Sequence, residues 1–271
     1  MAHWSPQDIP WESFDPARVD ADIVKLVKAA AMVEKNSADY ATYLCNVFAG
    51  DAAFQKAARH WAREEVQHGD VLGRWAEMAD ADFDFPARFA TFQRGYRIDV
   101  ERVSSVRGSR AGELVARCVV EVGTSSYYSA LGDAVNEPVL KAICGRIADD
   151  EFRHYKLFHS YLQRYQEAER PSRWAKVKVV AGRIAESDDD ELSYAYWAAN
   201  NQGEPYDRRA NAAAYEGLAN GLYNRRIVGR GVAMTLDAAG LKADGWLARA
   251  LSALAWRVMQ WRRWRLAHAA A

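Results

Sequence analysis

With 271 residues, half of them hydrophobic, the chain can bury a substantial core in one large or two small domains, and nothing in its composition suggests disorder. Basic and acidic residues number 36 each, so the formal charge is zero and no global field draws the protein to nucleic acid or an anionic membrane. The opening residues lack the basic and apolar regions of a signal peptide, and no apolar run reaches the roughly 18 residues a spanning helix needs, so a cytoplasmic protein with no transmembrane segment and no nucleic-acid partner is expected.

Pro6, Pro10 and Pro16 punctuate an N-terminal arm over residues 1–20, because proline is poorly tolerated inside a helix. Residues 21–48 read as one helix. Val24, Val27, Ala31, Glu34 and Ala38 recur at helical spacing, which puts Glu34 on the apolar stripe, where a carboxylate is costly unless paired. The Gly50-Asp51 break leads into a second helix, about residues 53–78, which contains Glu64-Glu65-Val66-Gln67-His68. Residues 79–109 carry Phe83, Phe85, Pro86, Phe89, Phe92 and Tyr96 and then a serine- and glycine-containing stretch, a pattern expected of a long, partly helical crossover pinned by its aromatics. The third helix, about residues 110–135, places Leu114, Cys118, Glu121 and Tyr128 on one stripe. Pro138 suits the first turn of a fourth, which runs to about Glu169 and contains Asp150-Glu151-Phe152-Arg153-His154.

Beyond Pro171 the pattern stays helical without a second ligand set, so residues 21–170 are expected to form the bundle and 171–271 a helical extension packed on it. Ser187-Asp188-Asp189-Asp190-Glu191 resembles a helix start. Residues 247–268 form a basic, tryptophan-rich helix with Trp246 just before it. It is expected to pack its Trp face on the bundle and solvate its Arg face, the alternative being a docking surface for an acidic carrier protein or a membrane. Cys45, Cys118 and Cys144 lack zinc or redox spacing, which suggests core packing in a reducing compartment.

The chemistry is carried by the repeated acid-Glu-x-x-His. Random placement of these residue types predicts about 0.05 copies in such a chain, so two copies point to function. Glu and His three apart share a helix face and can grip one metal ion. Each copy is preceded, 31 residues before Glu65 and 30 before Glu151, by a lone glutamate, Glu34 and Glu121. Four carboxylates cancel the charge of two divalent ions, and two imidazoles add neutral ligands. Oxygen-rich ligation suits iron or manganese rather than zinc. Glu65 and Glu151 are expected to bridge, Glu34 and Glu121 to lie at either end, and His68 and His154 to cap one metal each. A metal-bound histidine donates its other N–H to a carboxylate, so the approximate twofold relation of the halves assigns Asp150 to His68 and Glu64 to His154.

These motifs resemble those of the ferritin-like di-iron carboxylate superfamily. Glu64-Glu65-Val66-Gln67-His68-Gly69-Asp70-Val71-Leu72, with its glycine after the histidine, and Asp150-Glu151-Phe152-Arg153-His154 are most similar to soluble acyl-acyl-carrier-protein desaturases. Thr124, three residues after Glu121, occupies the place of a threonine kept near the oxygen-binding side in that family. The resemblance implies an all-α, ferritin-like four-helix bundle with a long crossover and additional C-terminal helices. It also implies two iron ions, or manganese or a mixed manganese and iron pair, together with molecular oxygen and an external electron donor delivered by an electron-transfer protein. The substrate implied is small and apolar or acyl-type, free or bound to a carrier protein, and a homodimer fits the family. Thr124 would supply a hydroxyl at the reacting face, and Tyr40, Tyr127 and Tyr128 would line a cavity or pack in the core. The intervals of 31, 56 and 30 residues between glutamates are similar to those of aldehyde-deformylating oxygenases. Aldehyde cleavage and amine N-oxygenation therefore stay open beside desaturation or oxygenation. The alternative outside substrate chemistry is a metal-binding or peroxide-scavenging protein, for which a polar channel rather than an apolar cavity beside Thr124 is the expected sign.

Overall fold

The computed structural model describes residues 4–186, 190–201 and 203–269, with the side chains of residues 266, 267 and 269 outside the description. Among these residues the protein is all-α, with no strand. The arm of residues 4–20 forms three short 3-10 turns. The helices that follow are α1 (Ala21–Lys35), α2 (Ser37–Val47), α3 (Ala52–Ala79), α4 (Phe85–Gly95), α5 (Arg110–Ala134) and α6 (Pro138–Glu169). Five more complete the described chain: α7 (Arg173–Ala185), α8 (Asp190–Asn200), α9 (Arg208–Ala219), α10 (Arg225–Ala238) and α11 (Trp246–Ala269). Of the expected helix start at 187–191, residues 187–189 lie outside the described residues.

Short polar side chains set the helix starts. Asp20 accepts from the amides of Asp22 and Ile23, Asp51 from Phe54, Asp84 from Ala87, Ser109 from Gly112, and Asn224 from Ile227. Each satisfies amides that the first helical turn leaves without partners. The helix expected over 21–48 is divided at Asn36. There the backbone hydrogen bonds shift register, with the Asn36 amide shared among the carbonyls of Met32, Val33 and Glu34 while the Ser37 hydroxyl donates to the Glu34 carbonyl. The break falls two residues after Glu34 and turns the chain at the level of that carboxylate.

The helices pair as hairpins, α1 and α2 on α3, and α5 on α6, with α3 also against α6. Two apolar clusters fill the interior. One gathers Val27, Met32, Leu72, Trp75, Tyr128, Leu131 and Ile147; the other gathers Leu44, Phe54, Trp61, Leu114, Cys118, Phe158 and Leu162. Along α1–α2, α3, α5 and α6 alike, the chain passes from one cluster to the other at Glu34, Glu65, Glu121 and Glu151. The four glutamates thus lie in a layer between two dry cores.

The crossover from α3 to α5 is held by its aromatics. Phe85 rests on α3 at Gly73, where an added Cβ would meet the ring at 2.2 Å, and Phe92 is fully buried. The C-terminal helices fold back onto this framework: α7 and α10 pack on α5, α8 on α1 and α4, and α11 on α9 and α10. The tryptophans of α11 depart from expectation. Trp246, Trp261 and Trp264 are 75%, 54% and 58% exposed, because α11 packs mainly on α9 and α10 rather than on the central helices, and Arg225 and Arg265 lie over its Trp256 and Trp261 rings. Cys118 and Cys144 are buried and Cys45 is half-buried, all as free thiols. No helix among the described residues is long and apolar enough to cross a membrane.

The arm is docked through Glu137, a fully buried acid at the start of α6. Its carboxylate accepts from the amides of Val139 (3.2 Å) and Leu140 (2.8 Å), from Trp75 Nε1 (2.7 Å) and from the amide of Asp15 in the arm (3.1 Å). Removing it loses a helix cap and leaves the buried Trp75 N–H without a partner. Glu137→Ala is therefore expected to lower unfolding stability by about 2–4 kcal/mol in urea titrations, the sum of those two costs.

Candidate metal centre

Six buried side chains meet in the layer between the two cores. Their arrangement resolves into two sets of ligand atoms, each lying within 4.8 Å of one another: Glu34, Glu65, His68 and Glu151 in one, and Glu65, Glu121, Glu151 and His154 in the other. Glu65 and Glu151 belong to both. The helical spacing explains why, since on α3 and α6 the Glu and the His three residues later share one face. His68 Nδ1 lies 3.7 Å from Glu34 Oε2, 3.8 Å from Glu65 Oε2 and 3.3 Å from Glu151 Oε1. His154 Nδ1 lies 2.8 Å from Glu65 Oε1, 3.7 Å from Glu121 Oε2 and 3.8 Å from Glu151 Oε2.

Each imidazole turns Nδ1 inward and Nε2 outward. His68 Nε2 is 3.0 Å from Asp150 Oδ2 and His154 Nε2 is 2.9 Å from Glu64 Oε2, so each histidine meets the acid of the opposite helix. Arg153 bonds to Asp150 and reaches Glu64 at 3.4 Å, tying the two acids together from outside. Burial opposes ionisation of Asp150, but the bonds from His68 and Arg153 outweigh it and hold its carboxyl down at about 2. An ionised acid at Nε2 fixes the ring so that Nδ1 keeps its lone pair available to a cation.

Glu121 Oε1, Glu151 Oε1 and His68 Nδ1 face the centre with no hydrogen-bond partner, while Glu65 Oε1 and His154 Nδ1 meet only each other. Buried acceptors without partners cost several kcal/mol, and four carboxylates crowded in a dry layer repel one another. Burial and then the neighbouring Glu65 push the Glu34 carboxyl well above its ordinary range; burial and then Glu151 do the same to Glu121. Burial works against charge on His68 and His154 too, but the surrounding carboxylates prevail and raise both. Each of these shifts favours added positive charge among the carboxylates. Hard divalent cations satisfy the same atoms, so the cluster fits a pair of metal ions.

Gly69 makes this convergence possible. A Cβ there would lie 2.6 Å from the Lys35 backbone nitrogen and 2.8 Å from the Ala31 carbonyl, so only glycine lets α3 approach α1 at the level of Glu34. Tyr128 then donates to Glu34 Oε1 at 2.6 Å and holds that carboxylate in place.

Thr124 lies beside the cluster. Its hydroxyl is 2.6 Å from Glu151 Oε2 and also within reach of the Val120 and Glu121 carbonyls, at 3.3 and 3.2 Å. It borders a cavity of about 460 Å³ whose wall includes Glu34, Glu65, Glu121 and Glu151 but neither histidine. Val33, Trp61, Val120, Tyr127, Tyr128 and Leu192 give this cavity a largely apolar and aromatic lining. A larger cavity of about 860 Å³, between the arm, α1 and α8, does not touch the cluster.

Two contributors escape sequence reasoning. Trp4 donates Nε1 to Asp150 Oδ2 at 2.8 Å and stacks on His68, ring centroids 5.9 Å apart. It sits in a non-periodic arm and leaves no signal in the sequence. Arg153 did leave one, since it lies three residues after Asp150 on the same helical face.

The fatty acid desaturase family model matches residues 20–178, well over half of the chain and all of the cluster. No curated protein matches the sequence.

Metal uptake should displace the protons held by Glu34, Glu121 and the two imidazoles, so loading with Fe(II) or Mn(II) under nitrogen is expected to acidify a weakly buffered solution. Because these groups sit above their ordinary pKa values, metal affinity should weaken as pH falls from 8 to 6, a trend readable with an indicator dye and a competing chelator. Gly69→Ala should cost about 1–3 kcal/mol by forcing α1 off α3, and its metal content by elemental analysis should drop because Glu34 moves with Lys35.

Proposed function

The chain belongs to the fatty acid desaturase family, and on that footing we propose a di-iron, oxygen-activating oxidoreductase of the ferritin-like class that acts on an apolar, acyl-type substrate. The observation that carries this reading is the doubled ligand set sharing Glu65 and Glu151, open on its carboxylate side to an apolar cavity. In this reading Glu65 and Glu151 would serve both metal ions, with Glu34 and His68 completing the residues that would hold one and Glu121 and His154 those that would hold the other. Iron is the proposed metal, and manganese accepts the same ligands. When bound, the reduced pair supplies electrons to molecular oxygen, and an external electron-transfer protein restores them.

The chain's own residues do the rest. Asp150 and Glu64 hold the imidazoles in orientation, and their placement reserves the histidine side for support. The cavity meets only the carboxylate side, so substrate and oxygen approach there. Thr124 holds a proton at Oγ1 against Glu151 Oε2, at the boundary between cluster and cavity, where a hydroxyl can pass a proton to a reacting group. The walls of Val33, Trp61, Val120 and Leu192 exclude water and hold a C–H bond beside the centre. This lining favours substrate chemistry over metal storage or peroxide scavenging, which call for a polar path.

The test is aerobic reaction of the reduced, iron-loaded protein with candidate acyl substrates, followed by mass spectrometry of the organic products. A desaturated or oxygenated chain is expected; oxygen consumption with every candidate returned unchanged defeats the proposal. Thr124→Val should keep the metal content while reducing product formed per turnover by about tenfold, equivalent to about 1.4 kcal/mol in the barrier.

A further inference from the structure

Most charged groups on the cavity wall have partners. Arg262 lies 3.9 Å from Glu216 and Arg183 3.6 Å from Glu186. Glu191 accepts from Tyr40 at 2.8 Å and from Asn36 at 3.2 Å. Arg117 differs. It is only 9% exposed, it lines the cavity, and its Nε has no hydrogen-bond partner. Among the described residues no carboxylate is in ion-pair contact with it. Its guanidinium carbon lies 5.0 Å from the centre of the Tyr40 ring, and a cation over an aromatic face recovers only about 0.5–2 kcal/mol. A buried, unpaired guanidinium costs more than that, and its planar fork matches a carboxylate in a two-point contact.

Its position along α5 gives the vacancy a direction. Arg117, Glu121 and Thr124 are four and seven residues apart, so they share one face of the helix. At the helical rise, Arg117 stands about 6 Å from Glu121 and about 10 Å from Thr124 along the axis. Val120 and Tyr128 line the cavity along this helix, and Trp61 faces them from α3.

We propose that the cavity takes its substrate as a free carboxylic acid, with the carboxylate paired to Arg117 and a compact apolar chain laid along α5 toward Thr124. This rests on the acyl-type reading above and sharpens it, because a thioester presents no anion for Arg117 to pair with. The observation underneath is independent of any metal: a cation, nine-tenths buried and in ion-pair contact with no carboxylate among the described residues, in the wall of a cavity whose other arginines, Arg183 and Arg262, each have an acid beside them.

Binding decides the matter without turnover. Calorimetric titration of the full chain under nitrogen with octanoate and 3-phenylpropionate, beside octanamide and 3-phenylpropionamide, compares anion and neutral analogue of equal shape. At least tenfold tighter binding of the acids is expected, with the preference lost in Arg117→Gln and partly kept in Arg117→Lys. Equal affinity for acid and amide, binding of none of the four probes, or a folded Arg117→Gln protein that still prefers the acids overturns the proposal. Should Arg117→Gln fail to fold by circular dichroism, the comparison of acid with amide on the unaltered protein decides alone. Failure here leaves metal uptake and product formation standing. Failure of those leaves this binding preference intact.

Discussion

The structure is organised around the cost of burying four glutamates in one dry layer. Two apolar clusters close on that layer from either side, and water does not reach the inward-facing atoms of Glu65, Glu121 and Glu151. Carboxylates so placed must share protons, borrow charge from His68 and His154, or meet cations. Every one of the four central helices contributes a glutamate to the layer, so the charge that satisfies it also joins the two hairpins. Positive charge at the centre is therefore as much a matter of folding as of chemistry.

The surroundings of the layer divide by side. Behind the histidines the chain is built for rigidity: Asp150 and Glu64 hold the rings, Arg153 ties the acids to each other, and Trp4 closes over His68 from the N-terminal arm. Glu137 locks that arm to α3 and α6. In front of the carboxylates the chain leaves space instead, walled by α1, α3, α5 and helices that follow the bundle.

Those later helices give the C-terminal third a role. Leu192 from α8, Tyr215 and Ala219 from α9, Thr235 from α10 and Arg262 from α11 all line the cavity. The central helices supply the charged floor, and the extension supplies much of the roof. The size and lining of the cavity therefore depend on how the extension packs, whereas the six side chains of the centre come from the four central helices, with Trp4 of the arm closing over one end.

Local sequence was sufficient for the helical class, for the central helices apart from the break at Asn36, and for the grouping of the six side chains. Helical periodicity places Glu65 with His68 and Glu151 with His154 wherever those helices form. Asp20, Asp51, Ser109 and Pro138 mark starts because a helix end needs partners for its amides whatever the tertiary fold. The crossed pairing of Asp150 with His68 and Glu64 with His154 also followed from the internal repeat, since an approximate twofold axis exchanges the halves. Contacts between distant segments were another matter. Nothing local distinguishes Trp4 from any other residue of a proline-broken arm, or marks Arg117 as a buried cation lacking a carboxylate, and the break at Asn36 interrupts an otherwise unbroken helical pattern. The tryptophans of α11 show the same limit in reverse: periodicity gave them an apolar face, but burial needs a partner surface, and packing left most of that face exposed. Periodicity and capping act over a few residues and so are written in the chain. Cavities, cross-helix acids and the depth at which a charge is buried arise only when segments far apart in sequence are brought together, and the tertiary structure alone decided those.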